Sequence, residues 1–247
     1  MDFYDEIAQD YDEFTNLSVR EAGIQTFLDN VQDRYGFSSV LDAACGTGIH
    51  VVKSAQMGKR AVGADISAGM IEQSRARAKK ADVPAIWVTC PMQGLAGTVE
   101  GKFDLILCLG NSIPHVLKQS ELVQTVAGFA QLLNSGGILL VHFLNYAKIL
   151  TEQKRIVAIN RVGDDEYIRF YDFVGKLVNF NLLKISFQGT KNQHRLISTP
   201  LFPYTAGQLM NCLLKNGFEE VNIFGDLQFN PFDEKTSEAV LLEARVT

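Results

Sequence analysis

The chain has 247 residues, 47% hydrophobic and 21% charged, with a net charge of −5, the profile of an ordinary soluble globular protein of one large domain or one domain carrying a lid. Its acids are scattered along the chain, which argues against nucleic acid or an anionic membrane as partner, and the basic cluster Arg75 to Lys80 reads as a solvated helix face. No apolar run is long enough to span a bilayer, Met1 to Asp12 is unlike a signal peptide, and the four cysteines lack metal-type spacing, so a reducing cytoplasmic setting is expected.

In chain order, three- to four-residue apolar spacing predicts a helix over Val19–Arg34, stopped by Gly36. A first strand, Val40–Ala43, is followed by a helix at Ile49–Gln56, closed by Gly58. A second strand, Arg60–Ala64, ends at Asp65, and Ser67 can cap a helix running to about Ala81. Ile86–Thr89 and Phe103–Leu109 read as the third and fourth strands. Ser120 is expected to cap a helix to Leu133 that ends at Asn134-Ser-Gly-Gly137, with Ile138–Phe143 as the fifth strand. Such alternation predicts a doubly wound α/β fold: a seven-stranded, mostly parallel sheet covered on both faces.

After the fifth strand the pattern changes. Tyr167–Val174, Leu177–Gln188 and His194–Ser198 are strand-like, with polar turns at Gly163-Asp-Asp165 and Gly189-Thr-Lys-Asn192 and no helix between them. They predict an antiparallel β insert. Thr205 with Gln208 forms a capping box for a last helix stopping at Gly217, before closing strands near Val221–Phe224 and Ala239–Arg245. The expected organisation is a cofactor-binding core over 1–150, an insert acting as substrate lid over 151–203, and 204–247 completing the core sheet.

Ligands of open parallel sheets bind outside the carboxyl ends of the strands, where strand order reverses. Asp42 to Gly48 falls there: Gly46 and Gly48 bare the backbone, and the helix start donates free N–H groups. Asp65 is placed to accept hydrogen bonds from a ribose diol. A dinucleotide fingerprint needs a third glycine where this chain has Val51, and Asp42 is unwelcome beside a pyrophosphate. A cofactor with an amine, a sulfonium and a ribose but no phosphate fits better.

Leu41-Asp-Ala-Ala-Cys-Gly-Thr-Gly48 and Val62-Gly-Ala-Asp-Ile-Ser67 resemble the first two motifs of class I S-adenosylmethionine-dependent methyltransferases. Phe103-Asp-Leu-Ile-Leu-Cys-Leu-Gly-Asn-Ser-Ile-Pro-His115 is similar to the glycine and sarcosine N-methyltransferases. The resemblance covers about residues 1–145, is weak over the insert, and returns at Tyr204 to Asp226. It implies a methyl transferase for a small molecule. Gly46 and Gly48, with Asp42 and Ala44 in the same motif, would flank the methionine part of S-adenosylmethionine, and Arg20 would hold its carboxylate. Asp65 would hold the ribose, Ile66 and Met70 lie in and after the second motif, and Leu109 would offer its carbonyl to the amine. Tyr4 and Tyr11 resemble a segment that closes over the cofactor.

Two departures stand out. Most relatives carry an adenine-binding Asp after the third strand, where this chain reads Thr89-Cys-Pro-Met92, so adenine recognition leans on the backbone near Cys90 and Met92. Glycine N-methyltransferases have an Arg before Asn-Tyr at the end of the fifth strand; here Leu144 precedes Asn145 and Tyr146, and glycine is disfavoured as substrate.

Asn111, Ser112 and His115 are pocket candidates, with Asn111, His115 and Tyr11 the catalytic ones; His115 could take a proton or simply bond a neighbouring carbonyl. Asn145, Tyr146, Arg169, His194 and Tyr204 are the substrate-binding candidates. His194 and Arg195 alternate on a strand and cannot share one pocket. His50 and His142 read as packed or exposed. Nitrogen is favoured over oxygen as acceptor; a non-catalytic cofactor-binding protein is the rival reading, and the aromatic strands of the insert could pair across a homodimer.

Overall fold

The computed structural model describes residues 3–187 and 193–247. Three helices open it: α1 (Phe3–Ile7), α2 (Tyr11–Phe14) and α3 (Leu17–Tyr35). Then follow β1 (Ser39–Asp42), α4 (Ile49–Gln56), β2 (Arg60–Asp65), α5 (Ala68–Lys80), β3 (Ile86–Thr89), α6 (Leu95–Thr98), β4 (Phe103–Cys108), α7 (Gln119–Leu132), β5 (Leu133–Leu144) and α8 (Tyr146–Glu152). Four strands form a separate sheet: β6 (Ile156–Val162), β7 (Asp165–Val174), β8 (Leu177–Ser186) and β9 (Gln193–Leu201). The chain closes with α9 (Ala206–Leu214), β10 (Glu220–Phe224) and β11 (Ala239–Arg245).

The main sheet has the order β10-β11-β5-β4-β1-β2-β3. β1 to β5 run parallel, and β11 lies antiparallel between β5 and β10. Strand alternation sends successive side chains to opposite faces, and both faces are buried. Leu41, Ile106, Leu139 and Val141 face one core; Val40, Leu105, Leu107 and Leu140 face the other. This is the predicted doubly wound fold, with the antiparallel sheet inserted after β5.

Some elements differ from expectation. α7 starts at Gln119, with Lys118 rather than Ser120 at its cap. It passes directly into β5, so Asn134 to Gly137 lies inside the strand; the register shifts there between Phe103 and Leu105, and Gly136 has φ 75°. The strand β6 carries no clean alternation of burial, because it is an edge strand with much of its length exposed, and it went unpredicted. The turn expected over Gly189 to Asn192, and Gln188, lie outside the described residues. Ser67 does cap α5, accepting from Met70 N–H at 3.1 Å, and Thr205 with Gln208 does form a capping box.

A third cluster seats the N-terminal segment. Phe3, Ile7, Ala8 and Phe14 pack with Met70 of the core and with Tyr167 and Leu182 of the second sheet. Polar contacts hold the same segment on both sides. Asp5 accepts from Ser67 Oγ at 2.5 Å and Gly69 N–H at 3.1 Å, and Asp12 pairs with Arg77. Toward the second sheet, Asp10 pairs with Lys184 at 2.9 Å and Glu6 with Arg195.

Candidate active site

Strand order reverses between β1 and β4, and the loops after β1, β2, β3 and β4 surround a cavity of about 540 Å³ at that point. The loop after β1 is fixed by backbone bonds: Ala43 N–H donates to Leu107 O at 2.8 Å and Cys45 N–H to Ala64 O at 2.9 Å. Asp65 ends β2 and accepts from Gly46 N–H at 2.8 Å and Ser67 N–H at 3.0 Å, while Ser74 Oγ donates to Gly46 O at 2.8 Å. The carboxylate therefore holds the glycine loop as well as facing the cavity.

The two glycines divide their tasks. Gly46 lines the cavity, and a Cβ there would meet nothing nearer than the Tyr11 ring at 3.8 Å. Gly48 does not line it; a Cβ there would stand 2.5 Å from the Trp87 ring and 2.8 Å from Ser74 Oγ. Gly48 is needed for packing and for its φ of 79° at the start of α4.

Asp42 is buried, lines the cavity, and among the described residues neither carboxylate oxygen has a hydrogen-bond partner. The nearest cation-forming group is His50 Nδ1, 3.6 Å from Oδ2. A buried acid without donors calls for a ligand that brings them, such as an amine. Arg20, His50, His142 and Gln228 line the same end. Burial, with Arg20 and His50 adding to it, pushes the His142 imidazole down to about 4, so it is neutral near neutral pH. The two histidines expected to be bystanders thus stand at the site; nothing in their spacing marked them.

At the opposite end of the loop cluster, Ala44, Ile66, Cys90, Met92 and Gln93 line the cavity. Ile66 is 53% exposed, an apolar side chain left open beside a cavity. Gln93 was not anticipated, although it is the first polar side chain after Thr89. Burial raises the thiols of Cys45 and Cys90, so both stay protonated. Met70 is wholly buried behind the site, in the third cluster, and does not line it.

After β4, Leu109, Gly110, Ser112 and His115 line the cavity, and Ser112 Oγ donates to Leu109 O at 2.8 Å. The His115 ring sits in a 3₁₀ turn over Ile113–His115, its Nε2 2.8 Å from Tyr4 Oη. Burial pushes its imidazole down to about 4. Tyr11 also lines the cavity, its ring 6.3 Å from that of Tyr4.

Asn111 points elsewhere. With φ 69°, it donates from Nδ2 to Tyr146 Oη at 2.9 Å and accepts Leu144 N–H at 3.0 Å. Asn111 and Tyr146 thus brace the ends of β4 and β5, and neither lines the cavity. Asn145 caps α8 and donates to Glu234 O and Ser237 O at 2.8 and 2.9 Å. Tyr204 Oη donates to Val116 O at 2.6 Å, and His194 is exposed on the edge strand β9. Arg169 faces the core from β7 next to Tyr11 without lining the cavity. The second sheet reaches the cavity instead through Thr199 and Pro200. Of the substrate candidates, Asn145, Tyr146 and Tyr204 have their hydrogen bonds met by the fold itself.

Comparison with known proteins agrees with this geometry. A methyltransferase domain model matches residues 40–137. A glycine/sarcosine N-methyltransferase of Parasynechococcus marenigrum (strain WH8102) is 25% identical over 92% of this chain and 79% of its own length. A S-adenosylmethionine-dependent methyltransferase from Clostridium acetobutylicum superposes with a TM-score of 0.84, at 16% identity and 99% coverage of both chains. An amino pentose methyltransferase from Micromonospora echinaspora, solved with S-adenosylmethionine bound, gives 0.69 at 15% identity, covering 94% of this chain and 97% of its own. The methyltransferase domain match, the N-methyltransferase relatives and the shared fold support a class I S-adenosylmethionine-dependent methyltransferase. Within that class the chain resembles the glycine/sarcosine N-methyltransferase group. The residues present fit that cofactor: the Asp42 carboxylate, without a hydrogen-bond partner among the described residues, would meet an amine, the bare backbone at Gly46 admits close approach, and the acids at 42 and 65 would suit a ligand without a phosphate.

Proposed function

We propose that this enzyme methylates a nitrogen of a small molecule. The observation that carries the reading is the Tyr4–His115 pair, 2.8 Å apart at the cavity wall just past Leu109 and Ser112. Similarity to glycine/sarcosine N-methyltransferases supports nitrogen as the acceptor. Bound S-adenosylmethionine supplies a methyl group already activated by the sulfonium charge.

The chain's own contribution is positioning. Asp42, Arg20 and the Gly46 backbone hold the amino-acid end, Asp65 the ribose, and Ile66, Met92 and Gln93 the base. Gln93 offers the polar group that the missing adenine-binding acid would have supplied. Tyr4 and His115 orient the acceptor. His115, kept neutral by burial, can orient the acceptor by hydrogen bonding, and Tyr4 Oη fixes its ring. Tyr11, over Gly46, closes the site against water.

The four buried cysteines are free, which supports a reducing cytoplasmic location. Among the described residues, no helix is long and apolar enough to cross a membrane.

Turnover of S-adenosylmethionine with matched panels of amines and phenols tests the proposal. Methylation of amines is the expected result. Methylation of phenols alone, or release of no thioether product with any acceptor, would overturn it.

A further inference from the structure

Among the described residues, the second sheet presents a partly buried cation without a counter-ion. Tyr167, Arg169 and Tyr171 alternate along β7, and both tyrosines are buried. Arg169 is therefore on the inward face, opposite Leu182 of β8, itself buried. Its guanidinium lies over the Phe14 ring at 5.9 Å, and Nη2 donates weakly to Asn160 Oδ1 at 3.3 Å. Its buried Nε has no partner.

The nearby acids are committed elsewhere. Glu6 pairs with Arg195, Asp10 with Lys184 and Asp12 with Arg77, while Glu13 accepts from Tyr167 Oη at 3.4 Å. Among the described residues no carboxylate pairs with Arg169, and none pairs with Arg20, which lines the cavity from α3. Desolvation, followed by the charge of Arg20, lowers the affinity of Arg169 for its proton. The Phe14 ring beneath Arg169 packs edge-on against the Tyr11 ring at 5.1 Å, and Tyr11 lines the cavity together with Arg20. Two guanidinium groups that repel each other, one with a buried donor unmet, weaken the fold unless an anion joins them.

We propose that Arg20 and Arg169 form a carboxylate site beside Tyr11, the second sheet supplying the second cation. The proposal rests on the cavity being the methyl-donor site. The carboxylate belongs either to the amino-acid end of the cofactor or to the acceptor. A planar guanidinium with free N–H groups suits a carboxylate's two oxygens.

Calorimetry on wild type, R169Q and R169M separates the sources. One arm compares S-adenosylhomocysteine with 5′-methylthioadenosine, which lacks the amino-acid end. The other, on protein saturated with S-adenosylhomocysteine, compares glycine, β-alanine, 4-aminobutyrate and phenylalanine with the amines lacking their carboxylates. A loss of about tenfold or more for the carboxylate member of a pair, with its partner unchanged within about twofold, supports the proposal and names the source. R169M, which buries an apolar chain of similar length, gives the same result should R169Q fail to fold. No selective loss in either arm, or equal loss for both members of every pair, overturns it. Failure of wild type to bind either nucleoside would instead overturn the reading of the cavity.

Discussion

Tyr4 Oη and His115 Nε2 stand 2.8 Å apart across 111 residues of sequence, joining the N-terminal segment to the turn after β4 at the wall of the cavity. The bond joins two residues of the cavity wall and fixes the His115 ring there. Tyr4→Phe removes the hydroxyl and keeps the ring. It should lower kcat/KM for the acceptor by about tenfold. His115→Asn should lower kcat/KM for the acceptor by about tenfold. Both variants should bind S-adenosylhomocysteine as wild type does, by calorimetry.

The glycine pair predicts opposite phenotypes. Gly48→Ala sets a methyl group 2.5 Å from Trp87 at a φ of 79°, and should lower stability by about 2 kcal/mol or more in thermal or urea unfolding. Gly46→Ala meets nothing within 3.8 Å. Its strain at φ 53° should cost about 1 kcal/mol, while the methyl group occupying the cavity weakens S-adenosylhomocysteine binding by about tenfold or more.

Asp65→Ala removes the acceptor for Gly46 N–H and Ser67 N–H together. Each bond to a carboxylate is worth about 1.5–3 kcal/mol, so cofactor affinity should fall by about a hundredfold, with a lower melting temperature alongside. A binding isotherm indistinguishable from wild type would exclude Asp65 from the site.

Asn111→Ala should act on stability. It removes the bonds to Tyr146 Oη and Leu144 N–H, leaving buried groups unmet, at a cost of about 2–3 kcal/mol. Equilibrium unfolding measures this. A variant of wild-type stability and lost activity would restore Asn111 to catalysis.

Two partly buried histidines set an acid limit. His115 and His142 are pushed to about 4 in the fold, below the ordinary imidazole value of 6.5. Between those values the unfolded chain binds more protons than the folded one, so stability is full above about 6.5 and is lost as pH falls toward 4. Urea midpoints should decline over that window, and the double variant H115N/H142N should flatten the decline.

Much of this architecture was legible in the chain. The helix at Ile49–Gln56, the strand at Ile86–Thr89 and the Ser67 cap depend on neighbours a few residues away, and they lie where the pattern placed them. Asp42, Gly46, Asp65 and Leu109 stand at the ends of buried parallel strands, and in such a sheet those ends define the site. Gly48 followed the same motif yet packs against Trp87, because a ring from β3 fills the space behind α4. The edge strand β6 escaped notice since one exposed edge relaxes the alternation on which a strand is recognised.

The sequence by itself determined the doubly wound core, the inserted antiparallel sheet and the placing of the Asp42–Gly48 loop at the strand ends. Each follows from local periodicity, caps and glycine positions. Only the tertiary structure decided which polar side chains are left for a ligand. Asn111, Asn145 and Tyr204 are spent on distant backbone and side-chain groups, while Asp42 and Arg169 keep buried atoms with no partner. Those partners arrive from parts of the chain far away in sequence, and a buried polar group is structural or functional according to whether the fold itself satisfies it.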